Sequence, residues 1–492
     1  MKFVLLWTDV LLWLLVAAAV LYFFYVRRHE HLAAPWRRLA QSGAAMACLC
    51  ILAVYLGIAL LDSVHYRPPL PSAGKASAPA WSSEVRSLLD VALGRLRAAR
   101  ERTYSAPLAI YAYSKETIDL PGGKTAREYP RLRYGGAALR DAADHGADAA
   151  ERAALGMAAG AAAWAAWALL VTLWAGSAAG SGFKAQWRLV WRNESRVRWR
   201  AAYVCALVLA LVGGAIGSLA LEYHVLGTDK TGRDVLYEAL KSIRTALVIG
   251  SLTTFITLPF SMALGIAAGY FRGLVDDIVQ YVYTTLNSIP SVLLIAAAVL
   301  IVQVYIDTHA DMFPTTVQRA DLRLLFLCII LGVTSWTGLA RLLRGETLKL
   351  RELEYVQAAQ AFGVSSWRIM SAHIARNVMH LVVISLVMDF SGLVLAEAVL
   401  SYIGVGVDPT MDSFGTMINA ARLELSREPM VWWSLAAAFS FMLMLVLAVN
   451  LVADAVRDSF DPRTAMWRPR MPRAGGKTVA PARPALSEAP AS

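Results

Sequence analysis

The sequence predicts an all-α polytopic membrane protein of about nine transmembrane helices, and three observations carry that prediction. Hydrophobic residues make up 57% of the 492 residues and charged residues only 17%, against about 25% charged in an ordinary soluble protein. The mean hydropathy is +0.49. Nine continuous apolar runs each reach the roughly 20 residues that a helix needs to cross the hydrocarbon core. This composition excludes soluble enzymes, disordered scaffolds, collagen-like fibres and disulfide mini-proteins. Continuous runs also exclude a membrane barrel, whose strands would read as short alternating segments.

The runs lie at 3–26, 43–62, 153–177, 201–221, 245–271, 288–307, 323–343, 381–407 and 431–455. The first is too long for a signal peptide and lacks a small-residue cleavage site before a polar start, so it reads as an anchor. With the second run it forms an N-terminal unit, 1–62. Residues 63–152 form a loop with a helix expected near 83–102 and a mixed aromatic stretch, YSAPLAIYAY, at 104–113. They are expected to make a small α+β domain or a partly ordered lid. Residues 153–200 hold the third span and a stripe of Lys184, Arg188, Arg192, Arg196 and Arg200 interleaved with Trp187, Trp191 and Trp199. Cations four apart share one drifting helix face, and with tryptophan they suit a helix in the headgroup layer. The last six spans occupy 201–463. The Pro-, Ala- and Arg-rich tail, 464–492, has no apolar periodicity and reads as disordered.

Lysine and arginine set the direction. Basic residues gather at 27–42, 178–200, 341–380 and beyond 456, whereas the short loops 222–244, 308–322 and 408–430 are poorer in them. The positive-inside rule then puts the N-terminus and 63–152 outside and the C-terminus in the cytoplasm, as an odd span count requires. The formal net charge of +11 is accounted for by these loops, and no nucleic acid is expected as a partner. Cys48, Cys50, Cys205 and Cys328 lie in apolar runs without metal-ligand spacing, so neither a disulfide nor a metal site is expected.

Enzyme-like signals fail. GGKT occurs at 122–125 and 475–478, but a phosphate cradle needs a further glycine where Ile118 and Met471 stand. Asn193-Glu194-Ser195 fits a glycosylation sequon on the inferred cytoplasmic side. The eight histidines form no HExxH pattern. No catalytic residue and no cofactor of the chain's own is expected.

The segment RELEYVQAAQAFGVSSWRIMSAHIAR, 351–376, is too polar to span. Through 352–362 it reads as a helix with Tyr355, Ala358, Ala359 and Phe362 on one side, interrupted by Gly363 as a C-cap. Such a helix can dock into a groove on a cytoplasmic partner. It resembles the EAA loop of bacterial ABC importer permeases, with Gln357, Ala358, Ala359 and Gly363 at the motif's spacing, Gln357 replacing its glutamate, and His373, Ala375 and Arg376 where the motif ends. Three more segments extend the likeness: GTDKTGRDVL at 227–236, AEAVLSYIGVGV at 396–407 followed by Pro409 and Ser413-Phe414-Gly415, and NLVADAVRDSFDPR at 450–463. Together, in this order, they are similar to the C-type permease subunit of peptide/nickel-class ABC importers, over about 200–463.

The resemblance implies that 201–463 is a type I permease core and that the chain is half of a pore in a bacterial inner membrane. The other half would be a homologous B-type subunit. Two cytoplasmic ATPases, which bind the ATP, would couple through Tyr355, Gln357, Ala358, Ala359, Phe362 and Gly363, and an extracytoplasmic solute-binding protein would deliver a peptide-like solute. In the outer signature Gly227, Thr228, Asp229, Gly232, Arg233 and Asp234, the glycines permit turns and the charges can pair locally. A tight turn and a contact with the binding protein are both open. Asp389 and Glu397 sit inside an apolar span, where an ionisable residue faces the bundle interior or a water-filled path. A proton-coupled secondary transporter using these two carboxyls is the alternative, without an evident inverted repeat. A membrane scaffold or receptor working through 63–152 is another. Membrane lipid surrounds the chain in every case.

Overall fold

The computed structural model describes residues 2–69, 81–82, 84–120, 124–180, 182–192, 197–309 and 315–460. The tail at 464–492, the second GGKT and the Asn193-Glu194-Ser195 sequon lie outside them. A short strand β1 (Lys2–Val4) leads into α1 (Trp7–Arg28), so residues 3–6 of the first apolar run are not part of its span. The amphipathic α2 (Glu30–Leu39) connects to α3 (Gly43–Asp62), capped by Ser42. The loop region holds β2 (His65–Arg67), β3 (Arg86–Ser87), α4 (Leu88–Ala92), α5 (Gly94–Ala98) and the hairpin β4 (Glu116–Leu120) and β5 (Lys124–Glu128). Lys124 and Thr125 of the first GGKT open β5 opposite Leu120 and Asp119, and its two glycines lie outside the described residues.

Beyond it come α6 (His145–Ala179), α7 (Phe183–Trp191), α8 (Trp199–Leu219), α9 (Val235–Phe271), α10 (Gly273–Ser288), α11 (Ser291–Thr308), α12 (Thr316–Ser335) and α13 (Thr337–Arg351). The chain closes with α14 (Glu354–Ala361), a turn α15 (Ser366–Arg368) continued by a π turn at 369–374, α16 (Ala375–Ile403), α17 (Phe414–Glu424) and α18 (Trp433–Phe460). Among the described residues nine helical segments are long and apolar enough to cross a membrane, with α12 and α13 counted as one. β1 pairs with β2, and β2 with β3, all antiparallel. The N-terminus therefore sits at the same end of the bundle as the loop domain.

The centre is α9, which packs against α3, α12, α13, α16 and α18. Its loop-domain half buries Val235, Ala239, Ile243 and Ala246 against Val394, Phe414, Ala438 and Leu445. Its middle buries Val248, Ile249 and Leu252 against Leu324, Leu327 and Leu331. Its far end buries Ile266 against Leu343, Val356, Ile369 and Ile374. Glycine sets the approach of α6 to α8: a Cβ on Gly156 would lie 2.3 Å from the Gly214 carbonyl oxygen, and one on Gly160 would lie 2.0 Å from that of Ala210. Small residues let backbones meet where lipid supplies no hydrophobic drive. Of the basic and tryptophan stripe at 184–200, the part up to Trp191 forms α7, with Trp187 edge-on to Tyr203 of α8, whereas Trp199 and Arg200 open α8 and Arg196 lies outside the described residues.

Candidate functional site

The first candidate is α14, at the end opposite the loop domain. Val356 is fully buried among Leu343, Ile369 and Ile374 and anchors the helix. Gly363 ends it at φ +72°, a left-handed conformation that glycine takes without strain. Gln357 donates from Nε2 to the Glu352 carbonyl at 3.2 Å, and Tyr355 Oη accepts from Asn377 at the base of α16 at 2.7 Å. Phe362 stands 87% exposed, and Tyr355 and Ala358 share its side. Ala359 departs from the sequence reading. It lies at the edge of that face, half-buried against the core beneath, because Val356 rather than a partner takes the inward side. Trp367, 76% exposed beside this helix, was not in the sequence-derived set. Its signal was an aromatic residue in a polar segment.

The second candidate is the outer side of α16. The carboxyls of Asp389 and Glu397 do not share an environment, although they fall on one half of the helix. Glu397 is 1% exposed and accepts from Ser401 Oγ, one turn on, at 2.7 Å. Asp389 is exposed on the same side as Met388, Gly392, Leu395 and Val399, and it makes no hydrogen bond or ion pair among the described residues. A carboxylate at a helix centre costs about 2.5–3.5 kcal/mol against lipid. This side of α16 therefore suits water or another polypeptide, not acyl chains.

The segment Gly227–Asp234 is a clasp rather than a displayed surface. Asp234 caps α9, accepting from Leu236 and Tyr237 N–H at 2.9 and 3.3 Å. Asp229 accepts from the N–H groups of Thr231 and Arg233, both at 2.8 Å. Thr228 Oγ1 accepts from Ser105 N–H at 2.7 Å and donates to the Thr103 carbonyl at 2.9 Å, which ties the loop domain to the bundle. Arg233 pairs with Asp412 at 3.0 Å. Both glycines have φ above +70°, and a Cβ on Gly232 would lie 1.9 Å from the Glu101 carbonyl oxygen. Only Lys230 and Thr231 of this segment are exposed. The tight turn is thus the better reading of the motif.

Under the clasp, buried His224 lies between Asp234, 2.7 Å from Nδ1, and Glu101, 3.5 Å from Nε2. Burial disfavours the imidazolium, but the two carboxylates outweigh it and carry His224 from 6.5 up to about 9. Burial likewise opposes ionisation of Glu101. His224 and the backbone N–H groups of Arg133, Tyr134 and Gly135 overcome it and hold the carboxyl at about 2, down from 4.5. A raised histidine stabilises fully below its unfolded value and ceases to do so as pH rises through its folded one; a lowered carboxyl does the reverse. The clasp is therefore expected to be firmest between 4.5 and 6.5, loosening as pH rises through about 9 and as it falls towards about 2. Limited proteolysis of 84–134 across pH checks this. Equal cleavage at pH of about 6 and about 9.5 would contradict it.

The structure also joins charges that sequence reasoning missed. Arg244 of α9, 5% exposed, donates to Asp9 of α1 at 2.5 and 3.1 Å and to Thr8 at 3.1 Å. Thr8 donates to Asp321 of α12, which lies 3.9 Å from Arg244. His65 meets Asp9 at 2.7 Å. Lys241 reaches Asp90 at 2.9 Å and Asp62 at 3.1 Å. Burial resists the charge on Asp90, but Lys241, the Ser87 N–H and the Tyr237 hydroxyl hold its carboxyl down to about 2. Asp62, His65, Asp90, Lys241, Arg244 and Asp321 border a cavity of about 280 Å³. Only Asp9, and Asp62 at the edge of its run, carried the signal that Asp389 did, an ionisable residue inside an apolar run; His65, Asp90, Lys241, Arg244 and Asp321 lie outside the runs.

Residues 261–466 match the family described as binding-protein-dependent transport system inner membrane component. The chain is 30% identical over 245 residues to the oligopeptide transport system permease protein of Mycobacterium bovis, covering 50% of this chain and 78% of that one. It is 30% identical over 241 residues to the oligopeptide transport system permease protein of Haemophilus influenzae, covering 49% and 71%. It is 30% identical over 242 residues to the glutathione transport system permease protein of Pectobacterium atrosepticum, covering 49% and 73%.

Proposed function

The chain belongs to the family of binding-protein-dependent transport system inner membrane components, and from that premise we propose that it is a permease subunit of an ATP-driven importer for peptides or peptide-like solutes. It is a multi-pass membrane protein, and its permease relatives are named for oligopeptide, dipeptide and glutathione transport. The similarity to these proteins over about half the chain carries the reading. In it, the chain supplies half of the translocation path and a homologous B-type subunit supplies the other half. The exposed side of α16 with Asp389 faces that path or that subunit.

Two ATPase subunits bind and hydrolyse ATP, and each permease chain presents one short helix to them. Here that helix is α14, with Tyr355, Ala358 and Phe362 outward, Gln357 and Gly363 shaping its ends, and Ala359 at the rim of the contact. Closure of the ATPases would move α14. Through Val356, buried among Ile369 and Ile374 at the foot of α16, the movement would reach the spans. The loop domain and N-terminus face outward, where a solute-binding protein docks, and the C-terminus is cytoplasmic. The proton-coupled alternative is not favoured, because the relatives over this half of the chain are named as permease proteins of oligopeptide, dipeptide and glutathione transport systems.

Two experiments test this. Purified through a tag, the chain is expected to bring down a second permease chain and an ATPase, and to hydrolyse no ATP by itself. A cysteine placed at Lys230 should react with a membrane-impermeant thiol reagent in intact cells, and one placed at Ala358 only after permeabilisation. Turnover of ATP by the isolated chain, or the reverse labelling pattern, would overturn the assignment.

A further inference from the structure

A second, larger cavity lies away from both candidates. It measures about 980 Å³ and opens between α3, α8, α9 and α18. Its walls are apolar, formed by residues such as Ile58, Ala210, Gly213, Leu240 and Phe441. Arg95 of α5 is the one charged residue among those lining it. The cavity is open sideways: Val54, Val212, Leu221 and Met444 on its walls are 44–51% exposed. At the loop-domain end it is roofed by Leu93 and Leu96 of α4–α5, which pack on Leu236, Ile216 and Ala220.

We propose that this cleft is a binding site for one membrane phospholipid, with acyl chains along α8 and the phosphate at Arg95.

Three occupants compete for a space of this kind. Water is the poorest. At about 30 Å³ each, roughly thirty molecules would fill the cleft, and almost all of them would lack polar partners. An empty cleft forfeits dispersion contacts along all its walls. A spanning helix of a partner chain is about 10–12 Å across, and it would have to pass the roof of α4–α5, which closes the cleft at the membrane surface. A lipid of that leaflet has the matching polarity. Its chains enter from the side at span depth, and its headgroup lies beside the roof, where Arg95 is found. The guanidinium is half exposed and paired to Glu222 at 2.8 Å, so it is held at the rim with N–H groups to spare for a phosphate fork.

The packing of α8 shows that protein does not already fill the space. On one side Gly214 presses on α6, where a Cβ would lie 2.3 Å from the Gly156 carbonyl oxygen. On the cleft side a Cβ at Gly213 or Gly217 would meet nothing within 4 Å. Side chains can therefore be added at these two positions without collision.

The test uses the full chain with its co-purifying subunits, extracted from membranes in mild detergent and washed free of bulk lipid. Bound phospholipid is counted by phosphorus assay and by native mass spectrometry. The wild type is expected to keep about one phospholipid per chain in the cleft. Gly213→Phe with Gly217→Phe should lower this retention roughly tenfold, with melting and assembly unchanged. Arg95→Gln should lower it several-fold while leaving every apolar wall in place, and it keeps the question open to refutation if the filled variant is unstable. A wild type free of phospholipid, or equal retention in the filled variant and in Arg95→Gln, would overturn the proposal. Loss of the second permease chain from the filled variant with lipid unchanged would assign the cleft to a protein helix instead.

Discussion

Replacing Arg244 by methionine is expected to cost about 3–5 kcal/mol of stability and to free the N-terminal helices from the core. The cause is the company this side chain keeps. Asp9 and Asp321 are 3% and 2% exposed, and Arg244 is the cation both of them approach. Without it, two carboxylates remain in a low-dielectric site, and removing one partner of a buried pair costs far more than removing the whole set. The compensated variant Arg244→Met, Asp9→Leu, Asp321→Leu should recover most of the loss, since an apolar set of similar volume is often neutral or stabilising. Thermal unfolding in detergent measures both, and protease access to 29–42 reports the detachment. A single variant that melts with the wild type would mean that the contacts along α1 and α3, and not the ion network, hold this unit in place.

The second large effect concerns Phe362. Truncation to serine should weaken binding of the ATPase by at least about 2 kcal/mol, the scale of an exposed aromatic anchor in an interface, which is roughly thirtyfold in affinity. The fold should not notice, because a side chain 87% exposed contributes little to it. Ala358→Trp, on the same open side, should act similarly. Ala359→Trp is the informative contrast. Half-buried against Val356 and its neighbours, Ala359 would overpack the chain's own core at about 1–3 kcal/mol. It should therefore lower melting as well as coupling. Surface-displayed affinity for the purified ATPase, measured beside melting for all three variants, separates the two causes. If Phe362→Ser binds like the wild type, α14 is not the docking element.

The nine spans were legible because an apolar run of about 20 residues has one physical meaning in a membrane. Their ends were less so. α9 begins at Val235 and not near 245, since its first turns are held by the Asp234 cap and by tertiary packing rather than by hydropathy. The start of the first span moved from residue 3 to Trp7 because Lys2–Val4 pairs with His65–Arg67, more than 60 positions away. Pairings at that separation leave no local pattern. The same holds for Arg244 with Asp9, 235 positions apart. The short helix, its glycine terminus and the outward aromatic were readable from 3/4 spacing. The inward turn of Ala359 was not, because the choice between Ala359 and Val356 as the buried position is made by α13 and the π turn beneath them. Asp389 and Glu397 looked equivalent as carboxyls in one apolar run. The neighbours that bury one and expose the other come from other helices.

What drives solute across the membrane separates an ATP-driven importer from a proton-coupled transporter most directly. The chain, its partner permease and the ATPases reconstituted in proteoliposomes, with ATP on the side of α14 and a labelled peptide with its binding protein on the other, allow uptake to be measured directly. Uptake is expected to require ATP, to persist when a protonophore collapses the proton gradient, and to be lost with Phe362→Ser while the vesicles remain intact. Uptake that follows the proton gradient in vesicles holding this chain alone, with no ATPase and no ATP, would contradict it.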